Sequence, residues 1–340
     1  MLDKVFLIAN EEYLLSQSGG GNDIKSDVHA LQHIFSKIEI LSLPKDKLSK
    51  EINTIKKGRD YIFFSGFLSF ERFFSQVKPV EYRENPRITN IKDLHFFREL
   101  RLEMLERKNT GDHKIIMERE LTACKYSDLV LSYSDDEIKL TNKLNKNINI
   151  RKHFYYNPNF QLKNEFKFNR NLVFIGNFEH KPNLDAILSF DNKFLFDSNI
   201  FKFKIFGQNS KEKLNNIKTN NTYEIIGEVN NSDECYSEGG LFISPIRFGG
   251  GIKIKIIEAA LSKLPIIATA ESVEGLNLIA HESYIPLLDN ISFQNTLKNF
   301  QLNDPQLKRI ASAGFNAISK ISNERLVYEN LHALINQIRP

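Results

Sequence analysis

The segment from Pro245 to Thr269 combines residue types that bind a phosphorylated ligand. A short apolar run ends at Pro245, three glycines follow at Gly249, Gly250 and Gly251, and an apolar helix-like stretch comes next. Glycine lets the backbone approach a ligand closely, and the N–H groups at the start of a helix attract anions. The pattern predicts a strand, a phosphate-binding loop and a helix that begins near Ile252.

Charged side chains surround this glycine loop. Arg247 precedes it, and Lys253 and Lys255 follow it. Cations in these positions would stabilise the negative charge of a diphosphate. Glu258 lies one turn further along on an otherwise apolar helix face, where its carboxylate can accept hydrogen bonds from both vicinal hydroxyls of a ribose. The segment therefore predicts a pocket for a nucleoside diphosphate.

A simpler interpretation of the glycine triplet is a plain turn with solvated lysines, because short motifs often occur by chance. The coincidence of strand, loop, helix, cations and acid favours the ligand site. Lys253 and Lys255 would lie about 200° apart around a regular helix, so both cannot face the same phosphate. One of them would then point outward or belong to the loop.

The elements that must position these residues follow a repeating pattern. Short apolar runs alternate with amphipathic stretches along most of the chain, which favours parallel sheets covered by helices on both faces. Pro158 and several asparagines interrupt the alternation. We predict an α/β protein with two doubly wound Rossmann-like domains facing across a cleft. The predicted boundaries are residues 1–155 for the first domain, 156–170 for a linker, 171–322 for the second domain and 323–340 for a terminal helix.

Finer expectations concern individual elements of the first domain and the tail. The triplet Gly19–Gly21 is expected to form a loop, and Asn22 or Asp23 would cap the helix after it. A further helix is expected near residues 46–57. The tail from about Asp304 to Ile338 is expected to be wholly helical, with an apolar stripe that must be buried.

Composition excludes several classes of protein. Of 340 residues, 41% are hydrophobic and 26% are charged, as in an ordinary globular protein. Two cysteines offer no disulfide framework, and the first residues lack a signal-peptide pattern. We therefore expect a cytoplasmic protein. The net charge of +4 permits peripheral attachment to the inner face of the membrane as an alternative.

Other kinds of chemistry lack the expected signatures. The histidines show no metal-ligand spacing, so no metal site is predicted. Neither a Ser-His-Asp signature nor a nucleophile elbow is present. Basic and aromatic residues are not interleaved as on a nucleic-acid surface, so nucleic acid is not an expected partner.

The glycine-loop segment resembles the donor-binding motif of retaining glycosyltransferases of family 4, the group 1 glycosyltransferases, which have the GT-B fold. The similarity continues in order along the chain. In the second half it covers Asn171–Ala186, Phe203–Gly207, Ile226–Val229 and Glu271–Leu276, which resemble successive parts of the donor domain. In the first half it covers Asp93–Arg98, Glu118–Glu120 and Ser127–Ser134, which are similar to the acceptor domain.

The resemblance implies that the helix at 323–340 crosses back to pack on the first domain. It also implies further site residues in loops that follow strands. In the second half these are Gly176, Asn177, Lys181, Gly207 and Val229, where Val229 belongs to the loop that lies against the nucleobase. In the first half they are Gly19, Gly20 and Gly21, for which a surface loop is the alternative. Asp93 and His95 are both candidates to bond the donor sugar, because the match fits either of them.

Two positions depart from the family's pattern. Many members carry an acid eight residues before the ribose-binding one, where this chain has Gly250. Asn177 follows Gly176 in place of the usual arginine, and Lys181 would supply that charge. Backbone N–H groups of the glycine loop would then hold the sugar hydroxyls.

The function implied by the resemblance is transfer of a sugar from a UDP- or GDP-linked donor to a hydroxyl of a glycan or lipid-linked acceptor. It implies retention of configuration, no metal, no cofactor and a role in bacterial surface polysaccharide synthesis. Arg247, Lys253 and Lys255 would stabilise the leaving diphosphate. Two alternatives stay open: a degenerate, non-catalytic nucleotide-sugar-binding subunit, and a nucleotide-sugar epimerase of the same fold.

Overall fold

The chain forms two compact units in the computed structural model, which describes residues 2–9, 19–43, 50–160, 169–299 and 304–338. The first unit comprises Met1–Pro158, Gly250–Ile252 and Ile321–Pro340, and the second comprises Asn159–Gly249 and Lys253–Lys320. Each unit contains one six-stranded sheet. All strand pairings within the two sheets are parallel. The α/β class that the alternating pattern predicts is confirmed.

The first unit has the strand order β2-β1-β3-β4-β5-β6. Its strands are β1 (Leu2–Ala9), β2 (Phe35–Ser42), β3 (Tyr61–Ser65), β4 (Arg87–Asn90), β5 (Leu129–Ser132) and β6 (Ile150–Lys152). Its helices are α1 (Gly19–Gln32), α2 (Phe67–Gln76), α3 (His95–Glu106), α4 (Asp112–Lys125), α5 (Asp135–Leu144) and the terminal α13 (Glu324–Asn336). Short 3₁₀ helices span Lys50–Thr54 and Pro79–Tyr82.

Two sequence predictions for this unit were wrong in detail. Helix α1 begins at Gly19, so the glycine triplet forms its first turn and neither Asn22 nor Asp23 is its cap. The local pattern favoured a loop because glycine is a poor helix former. In place of the helix predicted near 46–57, the described part is the 3₁₀ helix at Lys50–Thr54, and residues 44–49 lie outside the described residues.

The second unit has the strand order β12-β11-β10-β7-β8-β9. Its strands are β7 (Asn171–Ile175), β8 (Lys202–Phe206), β9 (Tyr223–Gly227), β10 (Leu241–Ser244), β11 (Ile266–Ala268) and β12 (Ile285–Pro286). Its helices are α6 (Lys181–Lys193), α7 (Ser210–Leu214), α8 (Asp233–Glu238), α9 (Ile254–Leu261), α10 (Ala270–Val273), α11 (Asn290–Lys298) and α12 (Pro305–Ser319). Every residue of β10 and β11 is buried, as continuous apolar strands of a covered parallel sheet require.

The terminal helix α13 packs on the first unit, as the sequence predicts. Its buried side chains join a core with β1, α1 and β3; they are Val327, Leu331, Leu334 and Ile335. Asn323 begins this helix by accepting a hydrogen bond from the Leu326 N–H at 2.9 Å. The tail is helical, as predicted, and consists of the two helices α12 and α13. No helix among the described residues is long and apolar enough to cross a membrane.

Candidate functional site

The glycine loop after β10 is shaped by close backbone approach. The Gly251 N–H donates to a carboxylate oxygen of Glu137 at 2.8 Å, and Gly251 has a φ of 57°. A Cβ on Gly250 would lie 3.0 Å from the carbonyl oxygen of Leu94, and one on Gly251 would lie 2.8 Å from the Cβ of Asp93. A side chain at position 250 would therefore require Leu94 or Asp93 to shift. This packing gives a physical reason for the departure noted in the sequence.

Helix α9 begins at Ile254, two residues later than predicted, because Lys253 adopts an extended backbone at its N-cap. Lys253 therefore belongs to the loop and Lys255 to the helix, which was one of the two alternatives. The Lys253 side chain folds back towards Gly249, where an added Cβ would lie 3.3 Å from the lysine Cε.

Lys255 is held in a polar and aromatic environment within the second unit. Its Nζ donates to Asn183 Oδ1 at 2.6 Å and lies 4.1 Å from the ring centroid of Phe174. Burial of the ammonium group, together with a smaller effect of the nearby charge of Lys253, lowers the pKa of Lys255 to about 7. A bound anion would favour the charged form of this lysine.

Arg247 forms an ion pair with Asp185 of α6. The Arg247 Nε donates to Asp185 Oδ2 at 2.9 Å, and a second hydrogen bond joins the guanidinium to Oδ1. This bidentate contact fixes the arginine fork and raises the pKa of Arg247. Asn183 and Asp185 thus position the two cations, although sequence analysis did not single them out. Both lie in the Asn171–Ala186 segment that carried the resemblance.

Glu258 is buried on α9, with 3% of its surface exposed. The hydroxyl of Tyr236 on α8 donates to Glu258 Oε2 at 3.0 Å. Tyr236 was missed by sequence analysis because it lies on a different helix, 22 residues earlier. The tyrosine fixes one oxygen of the carboxylate that the sequence assigns to a ribose.

The predicted donor loops converge at the carboxyl ends of β7, β8 and β9. Gly207 has a φ of 117°, and a Cβ there would lie 2.0 Å from the carbonyl oxygen of Gly176. The side chain of Asn183, which accepts a hydrogen bond from Lys255, also donates one to the Asn177 carbonyl oxygen at 2.8 Å. A parallel sheet binds ligands at this edge.

The remaining predicted residues of the second unit are Asn177, Val229 and Lys181, which are half-buried or exposed. Asn177 donates from its side chain to Gln208 Oε1 at 2.9 Å. Val229 is half-buried in the loop after β9, and Lys181 is exposed at the first position of α6. Within the described part of the second unit, no hydrogen bond or ion pair joins Lys181 to Asn177 or to Lys255.

Asp93 and His95, the two alternatives of the first unit, contact each other. His95 Nε2 lies 3.2 Å from Asp93 Oδ1, and Arg98 lies 3.0 Å from Asp93 Oδ2. Burial disfavours the charged form of His95, but the Asp93 carboxylate outweighs it and the pKa of His95 is raised. The two residues therefore form one hydrogen-bonding unit at the start of α3.

Two buried acids accept hydrogen bonds from the backbone N–H groups at the start of α3. Glu120 accepts hydrogen bonds from the N–H groups of His95 and Phe96, each at 2.9 Å, and Glu137 accepts one from Leu94 at 2.9 Å. Burial raises the pKa of Glu120 to about 7. These acids replace the missing N-cap side chain of α3.

A buried polar cluster lies at the carboxyl ends of β3, β4 and β5 and was not foreseen. Asn90 donates from its side chain to Asp27 Oδ1 at 2.9 Å and to the Tyr133 hydroxyl at 3.0 Å. Ser65 contacts the other oxygen of Asp27 at 3.4 Å. Asp27 lies on α1, the helix that Gly19, Gly20 and Gly21 begin. Burial raises the pKa of Asp27 to about 6, against the attraction of Lys92.

Asp27→Asn should make the protein more stable at pH 8 and leave its stability at pH 4 nearly unchanged. The folded-state pKa of Asp27 exceeds that of the unfolded chain, so the acid's contribution is fully present below about pH 4 and is lost as the pH rises through 6. Two pKa units correspond to about 3 kcal/mol, an upper bound for the gain at pH 8. Urea denaturation at both pH values measures it, with the exposed Glu118→Gln as control. Equal stability of Asp27→Asn and the unchanged protein at pH 8 would contradict the prediction.

Comparisons with known proteins agree with this architecture. Residues 169–290 match the family model described as "Glycosyl transferases group 1". No curated protein matches the chain by sequence. Sucrose-phosphate synthase from Thermosynechococcus elongatus has a similar structure, with a TM-score of 0.72, 12% identity and 99% of each chain covered.

Two other similar structures contain UDP. HepE from Anabaena, in complex with UDP and glucose, has a TM-score of 0.66 at 10% identity, covering 99% of this chain and 100% of HepE. S. aureus TarM, in complex with fondaparinux, alpha-GlcNAc-glycerol and UDP, has a TM-score of 0.65 at 15% identity. The alignment covers 84% of this chain and 57% of TarM, so the chain spans little more than half of TarM's length.

The family match covers the strands and helices that carry Arg247, Lys255, Glu258 and Tyr236. The two parallel six-stranded sheets are similar over the whole length of sucrose-phosphate synthase and of HepE. The chain thus has the GT-B fold, and its residues 169–290 match the model of the group 1 glycosyl transferases.

Proposed function

We propose that the protein transfers a sugar from a nucleotide sugar to a hydroxyl group of an acceptor. The observation that carries this proposal is the arrangement of Lys255, Arg247 and Glu258 inside the segment that matches the family. Solved structures of the same fold hold UDP, UDP-glucose or UDP with glucose. A UDP- or GDP-linked sugar is the proposed donor.

Within the second unit, each group has a role suited to its surroundings. Glu258, oriented by Tyr236, would accept hydrogen bonds from the two ribose hydroxyls. Lys255 and Arg247, with Lys253 from the loop, would stabilise the charge that develops on the leaving diphosphate. Because these cations can do what a divalent ion does elsewhere, we propose metal-independent transfer.

The stereochemical proposal is retention of the anomeric configuration. It is supported by the resemblance of the glycine-loop segment to retaining enzymes of family 4. Attack on the same face of the sugar as the leaving group would let a phosphate oxygen take the acceptor proton, so no separate general base is required. Asp93 and His95 are proposed to bond sugar hydroxyls.

The acceptor, the biological role and the location of the protein are proposed from the resemblance to the family. A glycan or lipid-linked hydroxyl in bacterial surface polysaccharide synthesis is the proposed acceptor. In support, a structure of TarM contains fondaparinux and alpha-GlcNAc-glycerol, and one of GtfA contains GlcNAc. We propose a cytoplasmic location, and peripheral contact with the inner face of the membrane would bring the enzyme to a lipid-linked acceptor.

A donor-hydrolysis assay tests the activity. Purified protein should release free sugar from one UDP- or GDP-sugar slowly without an acceptor, and EDTA should not change that rate. Nuclear magnetic resonance of the released sugar reports its initial anomer. Tight nucleotide binding with no release and no transfer would support the alternative, a non-catalytic subunit. The pairing of Arg247 with Asp185 favours this alternative, because it offsets part of the positive charge.

Glu258→Ala should weaken binding of the nucleoside diphosphate by about 1.5–3 kcal/mol, the value of hydrogen bonds to a charged group. Tyr236→Phe should weaken it less, since the carboxylate remains but loses one fixed partner. Isothermal titration calorimetry measures both, with Glu234→Ala on the exposed side of α8 as control. Unchanged affinity in Glu258→Ala would remove Glu258 from the ribose site.

A further inference from the structure

Three potential metal ligands converge on the outer side of the first unit. His29 Nε2 lies 2.8 Å from Glu324 Oε1, and His33 Nε2 lies 3.4 Å from the same oxygen. The ligand atoms of the three residues all lie within 4.8 Å of one another. None of these residues belongs to the proposed transfer site.

The two histidines are placed by the local helix geometry. His29 lies in the last turn of α1, and His33 lies in the turn that follows the helix, with the two ring centroids 5.1 Å apart. The rings are also held by aromatic contacts. Tyr328 stacks on His33 with centroids 4.8 Å apart, and Tyr156 lies 5.8 Å from His29.

Charge and geometry suit a divalent cation. The carboxyl end of α1 carries a partial negative charge, which favours a cation beside His29 and His33. Tetrahedral Zn²⁺ has bonds of about 2.0–2.2 Å, which place its ligand atoms roughly 3.3–3.6 Å apart. Of the two separations from Glu324 Oε1, the 3.4 Å to His33 lies within that range and the 2.8 Å to His29 lies below it, so side-chain rotation at His29 would complete the geometry.

We propose that His29, His33 and Glu324 bind a divalent transition-metal ion, with Zn²⁺ as the ion best suited to two imidazoles and one carboxylate. Three protein ligands leave a fourth position for water. The ion would join the end of α1 to the start of α13 and so fasten the terminal helix to the first unit. It is a structural role, separate from the metal-independent transfer proposed above.

The proposal departs from the expectation that the histidines lack metal-ligand spacing. The spacing of His29 and His33 was visible in the sequence. The third ligand was not, because Glu324 lies 295 residues from His29 along the chain.

Thermal unfolding of the full chain with Zn²⁺ or with EDTA tests the proposal. Zn²⁺ should raise the Tm of the unchanged protein, as any ligand specific to the folded state does. His29→Ala and Glu324→Gln should lower the Zn²⁺ affinity by more than the roughly 10- to 100-fold that loss of an outer-shell partner costs. His332→Ala, an exposed histidine of the same terminal helix, should respond to Zn²⁺ like the unchanged protein.

Co²⁺ provides a second readout that does not depend on stability. Bound to the unchanged protein, it should give the visible absorption of a nitrogen- and oxygen-ligated ion, and Glu324→Gln should lose that absorption. Equal Tm values in Zn²⁺ and EDTA, with no Co²⁺ absorption, would mean that the three residues form only a hydrogen-bonded ion pair. A Zn²⁺ response retained in both variants would place the ion elsewhere and overturn the proposal.

Discussion

Replacing Lys255 by alanine should slow sugar transfer about 100- to 1000-fold, the usual cost of removing one preorganised group that stabilises developing charge. The lysine Nζ is already fixed by Asn183 and by the face of Phe174, so little ordering remains to be done when the diphosphate forms. Turnover measured at saturating donor reports the loss. Lys193→Ala, an exposed lysine at the last position of α6, should stay within about twofold of the unchanged protein.

Because the pKa of Lys255 is low, binding of a diphosphate should be accompanied by proton uptake. A purely structural role of the lysine would not produce this uptake. At pH 8 the lysine is mainly neutral before binding, because its pKa is about 7, and a bound diphosphate should draw a proton onto it. Calorimetry in buffers of different ionisation enthalpy should therefore show proton uptake. Lys255→Arg should bind without uptake, since arginine is always charged. Binding with no proton uptake and full turnover in Lys255→Ala would separate Lys255 from the diphosphate.

Removing residues 323–340 should leave the first unit unable to fold stably. The deletion takes away four buried side chains of α13, each worth about 1.5–3 kcal/mol when fully buried. Their sum is comparable with the net stability of a whole domain, about 5–15 kcal/mol. The deleted chain should show non-cooperative unfolding and dye-accessible apolar surface by fluorescence, and transfer activity should be lost.

Point variants make the same prediction testable in a folded chain. Leu331→Ala, at a fully buried position, should lower the free energy of unfolding by about 2–5 kcal/mol. Glu329→Ala on the exposed face of the same helix should change it by no more than about 0.5 kcal/mol. Equal effects of the two variants would show that α13 contributes no core.

The order of strands and helices in both units was predictable because each element has its own short-range pattern of apolar and polar residues. Continuous apolar runs specify covered parallel strands such as β10, and helical periodicity specified the buried stripe of α13. The glycine loop with Lys253, Lys255 and Glu258 was found in the same way, since all of these residues fall within one strand–loop–helix segment. Element boundaries were less certain, as the starts of α1 and α9 show.

The hydrogen-bond partners of the site residues come from distant parts of the chain, and the packing of the elements brings them together. Tyr236 beside Glu258, Asn183 beside Lys255 and Asp185 beside Arg247 are brought there by the winding of the second sheet. The same is true in the first unit, where Glu324 meets His29 only because α13 returns to α1. Local sequence determines which face of an element is apolar and which residue types a loop contains. It does not determine which polar groups meet, because hydrogen bonds of 2.6–3.0 Å depend on how whole elements pack against one another.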